Sequence, residues 1–589
     1  MIFALLANLV RLLLLPMSAL RRARAAPRGG YVVLEIDGRV VDLEPPRSSL
    51  VARLRAGRTP LSVERIRRLV KELIRDRRPA GLLLRVRALG AGPAVLASLR
   101  DALLELRAGG KDVIAYLPQG ADNATLFLAS AARAIFVGPE TMISPLGFAV
   151  EGLYVRRALE QVGVEPEVFA KGMYKNAGEV LVRDAMSDAQ REQVSALLDG
   201  RFADLAGALA RGRGVDLETA ARWIDEAPYP AREAAERGLV DVVAYEDELE
   251  RALAEGPPPR ARVAPAIPPA SPSPGAAPTP APPPARLVTA DRYLRARRAC
   301  RFAPVLPRPV LGVIEVHGTI VSRARFRGGA FASEERLVAS LRAARRSPRV
   351  RGVILHVDSP GGSALASDRI HHEVIRLAEV KPVVAYLSNV AASGGYYVAV
   401  GAHAIVAQPQ TVTGSIGVVS ARFALGPLLE RLGVSTDVVK RGARADLFST
   451  TRRLYEGERA VVQRELDAFY ATFLGVVARE RRRTVEEIEP HAGGRVWSGA
   501  EARARGLVDH LGGFDRAVHE LRERLGPAAA AIEPAILRAA RYVSPPPLLP
   551  ALVPALLDAL GLSRLGDLAT LAIHLEGARL LAYHVDDVP

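Results

Sequence analysis

Short apolar runs alternate with stretches of helical spacing along this chain, and the whole order appears twice. Tyr31-Val-Val-Leu-Glu-Ile-Asp-Gly38 and Val310-Leu-Gly-Val-Ile-Glu-Val-His-Gly318 each read as a buried strand that stops at glycine. Helix-forming stretches follow each, from Val63 to Arg75 and from Ser333 to Arg346. A second strand comes next, Gly81-Leu-Leu-Leu-Arg-Val86 against Gly352-Val-Ile-Leu-His-Val357, then a third, Val113 to Leu117 against Val383 to Leu387. Strands that are apolar on both faces, with helices between them, predict a parallel sheet with crossover helices. Both copies close on Arg-Gly-Leu-Val-Asp, at 237–241 and 505–509. The fold class is therefore α/β, with tandem repeats over 30–254 and 309–526.

The segments outside the repeats have different compositions. Residues 255–308 read as a linker, because Gly256 to Arg286 is dominated by Pro and Ala, which makes a semi-rigid extended chain. Residues 527–589 form an Ala-, Leu- and Pro-rich tail, in which Leu548 to Leu581 has the spacing of amphipathic helices. Residues 1–29 read as a membrane anchor or interfacial helix. Eight Leu in Met1 to Leu20 favour insertion by about 0.3–0.6 kcal/mol each, while Arg11 opposes it by about 3 kcal/mol. Arg21, Arg22, Arg24 and Arg28 follow the apolar run, the reverse of the order in a cleaved signal peptide. By the positive-inside rule that order places the body on the cytoplasmic side.

Charge adds little until it is split by residue type. The net charge of +16 comes from arginines spread along the whole chain, with no basic block interleaved with aromatics, so no nucleic-acid partner is read. Only six cations are lysines (Lys71, Lys111, Lys171, Lys175, Lys381, Lys440), against 74 arginines. Arg cannot act as a base whereas a buried Lys can, so each retained lysine is a candidate for chemistry. Cys300 stands alone, every histidine lies from His317 onward, and no HExxH pattern occurs, so no metal site or cofactor is expected.

An offset of 270 residues aligns the two copies and exposes where they differ. Ser393 falls opposite Asn123, and Lys175 opposite Ala445. Asp358-Ser-Pro-Gly-Gly362 has no double glycine in the first copy, where Arg87-Ala-Leu-Gly-Ala91 stands. Alone, Ser393-Gly394-Gly395 reads as readily as a helix cap or turn. Such a role would be needed in both copies, whereas an active site is needed once. Glycines after a strand leave N–H groups able to form an oxyanion hole. A serine nucleophile needs a base; no His-Asp arrangement is recognisable, and a buried Lys175 with a lowered pKa can serve.

Asp358-Ser-Pro-Gly-Gly362, Ala392-Ser-Gly-Gly-Tyr396, Thr413-Gly-Ser-Ile-Gly417 and Tyr174-Lys175 together resemble the long, two-repeat form of the signal peptide peptidase A (protease IV) family, over about residues 30 to 525. The resemblance implies a Clp-protease/crotonase-like fold in both repeats and a membrane-bound homotetramer. It implies Ser393 as nucleophile, Lys175 as general base and Ser415 as the residue that orients the lysine. Gly361, Gly362 and Gly394 fall at oxyanion positions. The implied substrates are remnant signal peptides and other apolar peptides, and the implied location is the bacterial inner membrane with the catalytic side periplasmic, opposite to the charge pattern above. Two rivals share the fold: a crotonase-like acyl-CoA hydratase or isomerase, and an inactive membrane scaffold.

Overall fold

In the computed structural model, the described residues are 8, 12, 28–44, 60–255, 284–298, 308–323 and 331–537. They divide into two compact units, one of Met1–Phe148 with Gly200–Arg308, the other of Ala149–Asp199 with Pro309–Pro589. Each unit is built on a mostly parallel sheet. In the first, the strands run in the order Val242–Val243, Ala134–Val137, Asp112–Leu117, Gly81–Gly90, Tyr31–Val41 and Leu287–Thr289, all parallel. In the second, Val383–Ala392 pairs parallel with Val350–Ser359 on one side, and with Ala404–Ala407 and then Val412–Gly414 on the other.

The unbroken apolar strands follow from burial on both faces. In Gly81–Gly90, Leu82, Leu84 and Val86 enter one core while Leu83 enters the core behind it. In Val350–Ser359, Val353, Leu355 and Val357 face one core and Ile354 the other. Side chains alternate along a strand, so only an all-apolar run fills both layers. The crossover helices need just one apolar stripe. Val63–Arg75 buries Ile66, Leu69, Val70 and Leu73, with Ser62 Oγ accepting from Arg65 N at 3.2 Å at its start.

The repeated closing motif is structural in both copies. Asp241 accepts from Ile135 N at 2.7 Å and pairs with Arg213, while Asp509 accepts from Ile405 N at 2.8 Å and pairs with Arg481. Lys111 and Lys381, also equivalent, donate at 2.6–2.7 Å to carbonyls at a helix end and, for Lys111, in the turn that follows it. Two of the six lysines therefore tie down helix ends.

The boundaries differ from the sequence reading in three places. Within 255–308, Leu287–Thr289 adds an edge strand beside Tyr31–Val33, and Ala290–Arg298 is a helix whose Tyr293 is fully buried. Within 527–589, Pro534–Ile536 pairs with Leu311–Val313. Ala149–Asp199, read as part of the first repeat, clusters with the second unit. Its strand Glu165–Lys171 pairs antiparallel with Val418–Ala424 over seven residues. The call on residues 1–29, apart from the isolated positions 8 and 12 and residues 28–29, and the call on the tail beyond Leu537 lie outside the described residues. Among the described residues, no helix is long and apolar enough to cross a membrane.

Candidate active site

Strand register brings the lysine to the serines. Lys171 sits opposite Val418 at the end of the antiparallel pair, so the turn after Lys171 meets the loop before Val418. Lys175 lies four residues beyond one end and Ser415 three before the other. Lys175 Nζ stands 2.9 Å from both Ser415 Oγ and Ser415 O, and 3.1 Å from Ser393 Oγ. All of these residues belong to the second unit.

The three contacts match the valence of a neutral amine, which has two N–H groups and one lone pair. The Ser415 carbonyl only accepts, so it takes one N–H. Ser415 Oγ takes the other, which leaves the lone pair for the Ser393 hydroxyl proton. Burial pulls the Lys175 pKa down from 10.5 to about 7, the range a general base at neutral pH needs.

Both serines are held in strained backbone. Ser393 has φ 53° and Ser415 φ 51°, and the only other non-glycine residue with positive φ among those described is Arg482. Such conformations cost about 1–3 kcal/mol each and persist only where the surroundings enforce them. Ser393 N donates to Gly414 O at 2.9 Å, and Ser415 N to Arg495 O at 2.7 Å. Gly394–Ala399 then forms a short, wholly buried helix, which fixes the turn that presents the Ser393 hydroxyl.

The oxyanion candidates separate. Gly361, Gly362 and Gly394 are close together: a Cβ on Gly361 would lie 2.6 Å from Gly394 N, and one on Gly394 3.4 Å from Gly362 N. The Gly361 N–H, however, donates to Ser359 Oγ at 3.1 Å, so Gly361 shapes the loop and is not an available donor. Among the described residues the N–H groups of Gly362 and Gly394 have no acceptor, and they remain the pair able to face a developing negative charge.

Sequence reasoning missed the residues that hold this arrangement. Ser359 Oγ donates to Gly318 O at 2.6 Å while accepting from Gly361 N. Arg495 Nη1 donates to Tyr174 Oη at 3.1 Å and to Glu192 at 2.7 Å, and its guanidinium lies over the Tyr174 and Trp497 rings. Tyr174 N donates to Gly493 O at 3.0 Å, and a Cβ on Gly494 would collide with Lys175 at 2.7 Å. Ser359 stands inside a motif already singled out, so its place beside the double glycine was the available signal. Nothing local in sequence links Arg495 to Tyr174, which lies 321 positions away. Among the described residues, no three His, Cys, Asp or Glu side chains stand together as a metal site.

Neither copy repeats the part that the other supplies. Asn123 bonds back to its own loop, with Nδ2 donating to Gly147 O at 2.5 Å and Oδ1 accepting from Gly147 N at 3.3 Å. Ala445, the counterpart of Lys175, is exposed and has no side-chain nitrogen to offer.

Comparison with known proteins matches residues 105–257 and 375–526 to peptidase family S49. The chain is 31% identical over 499 residues to the chloroplastic serine protease SPPA of Arabidopsis thaliana, covering 83% of this chain and 68% of that protein. It is 30% identical over 515 residues to Protease 4 of Salmonella typhi, covering 84% and 78%. Protease 4 of Haemophilus influenzae is 28% identical over 457 residues, covering 74% and 68%. The four sequence motifs resembled this same group.

Proposed function

The chain belongs to peptidase family S49 and is a serine protease, and we propose that it cleaves peptides with a Ser393–Lys175 dyad. The observation that carries this reading is the buried Lys175 amine, 3.1 Å from Ser393 Oγ and bonded twice to Ser415. Ser393 Oγ attacks the scissile carbonyl carbon as its proton passes to Lys175 Nζ. The carbonyl oxygen takes up the negative charge against the N–H groups of Gly362 and Gly394. Lys175 then returns the proton to the leaving amine, which leaves an acyl-serine. Water, deprotonated by the same amine, attacks the ester and restores Ser393. Ser415 keeps the lysine lone pair aimed at Ser393 throughout.

The substrate class we propose is the apolar peptide, remnant signal peptides included, handled at a membrane surface by a membrane-associated homotetramer. The apolar run Met1 to Leu20 supports the membrane part. Flotation of the full chain with lipid vesicles, compared with a chain lacking residues 1–29, tests it; equal recovery of both would overturn it.

The dyad is tested by a fluorophosphonate probe. Wild type should label at Ser393, Ser393→Ala should not, and Lys175→Ala should label far more slowly. A hydratase using the same oxyanion glycines would leave Ser393 unlabelled, and an inactive scaffold would cleave no peptide ester.

A further inference from the structure

We propose that Asp358 is a positioning residue whose carboxylate sets the spacing between the oxyanion loop and the nucleophile; the proposal rests on the dyad reading above. Up to Val357 the strands Val350–Ser359 and Val383–Ala392 run in plain register, with Val357 opposite Leu387. The next pair is Ser359 with Ala391. Asp358 alone therefore faces Ser388, Asn389 and Val390. At the same place Val383–Ala392 changes partner on its other side, from Ala404–Ala407 to Val412–Gly414. A bulge of this kind re-aims the strand and takes backbone N–H groups out of the ladder.

The Asp358 carboxylate accepts the donors that the bulge releases. Oδ1 accepts from Val390 N at 3.1 Å and Oδ2 from Asn389 Nδ2 at 3.2 Å, with His317 Nδ1 4.0 Å from Oδ2. The Asp358 carbonyl accepts from Gly318 N at 2.9 Å, so both neighbouring strands hold the residue. Beyond this stitch the two arms of the site are short. One runs from Asp358 to Gly362, the other from Val390 through Ser393 to Gly394. Donors to an oxyanion act only when each lies about 2.7–3.1 Å from it. A carboxylate at the root of both arms therefore fixes the separation on which that distance depends.

The first repeat is built otherwise at this place. Gly120, which the 270-residue offset puts opposite Val390, turns back on itself, its N–H donating to Leu117 O at 3.3 Å. Arg87, which stands where Asp358 does, pairs with Glu35 at 3.0 Å. The carboxylate stitch accompanies the repeat that carries the nucleophile.

The experiment measures turnover of a peptide ester by full-length variants. Asp358→Ala should lower kcat about 10- to 100-fold with KM little changed and circular dichroism unaltered. Asp358→Asn keeps an oxygen for Val390 N and should recover activity to within about threefold of wild type. Asn389→Ala removes one of the two bonds and should lower kcat about three- to tenfold, which keeps the proposal open to test even where Asp358→Ala does not fold. A thionoester reads the oxyanion contacts themselves, because its sulfur accepts hydrogen bonds poorly. Wild type should prefer the oxygen ester, and both Asp358→Ala and Asn389→Ala should shrink that preference, Asp358→Ala by about fivefold or more. A loss confined to KM, an undiminished ester preference in these variants, or an Asp358→Asn as impaired as Asp358→Ala would each overturn the proposal. Failure of the dyad would show separately, as a wild type that a fluorophosphonate does not label at Ser393.

Discussion

The two repeats keep the same scaffold devices and divide the chemistry. The Arg213–Asp241 and Arg481–Asp509 pairs, and the carbonyl-capping Lys111 and Lys381, recur at equivalent places and do the same jobs in each unit. At the site the copies diverge. Ser393 is strained and offers its hydroxyl to Lys175, whereas its counterpart Asn123 is bonded to Gly147 at both ends of its amide. Asn123 is satisfied within its own loop, so the first copy holds that position without a hydroxyl.

The sharpest way to break this comparison is to remove the base. Lys175→Ala should lower kcat/KM on a peptide ester by about 10³-fold or more, because the nucleophile loses its proton acceptor. Lys175→Arg should fare no better, since a guanidinium cannot accept the proton. Lys111→Ala, in the capping lysine of the first repeat, should leave kcat unchanged and cost stability only.

The next effect is on pH. Lys175 must be neutral to act, and burial holds its pKa at about 7. Activity should therefore climb about tenfold per pH unit below 7 and level off above about 8. Stability should run in the same direction for a separate reason. Between about pH 7 and the ordinary lysine value, the unfolded chain binds one more proton than the folded one, so stability rises with pH across that window. In Lys175→Met both slopes should vanish. A slope of log(kcat/KM) that persists in a residually active Lys175→Met would assign the titration to another group.

Arg495 sharpens the comparison at a distance from the chemistry. It holds Tyr174, next to Lys175, and its carbonyl holds Ser415 N. Arg495→Ala should reduce kcat about 10- to 100-fold with little change in KM, as expected when a catalytic group is misplaced by about 1 Å. Thermal melting should fall only slightly, because the Arg495–Glu192 ion pair is largely exposed on its Glu192 side.

The smallest effect is on stability, and its sign separates the two equivalent positions directly. Ser393→Gly should abolish activity and raise stability by about 1–2 kcal/mol, because glycine relieves the positive φ. Asn123→Gly should leave activity intact and lower stability by about 1–2 kcal/mol, through loss of the bonds to Gly147. Equal changes at both positions would erase the distinction.

Much of this was legible in the sequence, for identifiable reasons. Strands buried on both faces write themselves as unbroken apolar runs, so the three strands of each copy lie where the pattern placed them. The pair Ser393 and Lys175 emerged because one constant offset showed each missing from the other copy. What stayed hidden depends on contacts far apart in sequence. Ala149–Asp199 joins the second unit, yet an exchanged strand keeps its local pattern, so periodicity assigned it to the first repeat. Leu287–Thr289 is only three residues after a Pro-rich run, and its strand conformation comes from the open edge at Tyr31–Val33. The Gly361 N–H is lost to Ser359 through a loop geometry that spacing does not encode.

The proposed active site draws its base from the first repeat and its nucleophile from the second repeat of the same chain. Co-expression of Ser393→Ala and Lys175→Ala chains tests it most directly, with turnover of a peptide ester measured on the purified mixture. An intrachain dyad predicts that the mixture is as inactive as either variant alone. Recovery of even a quarter of wild-type activity would show that Lys175 of one copy serves Ser393 of another, and would contradict the claim.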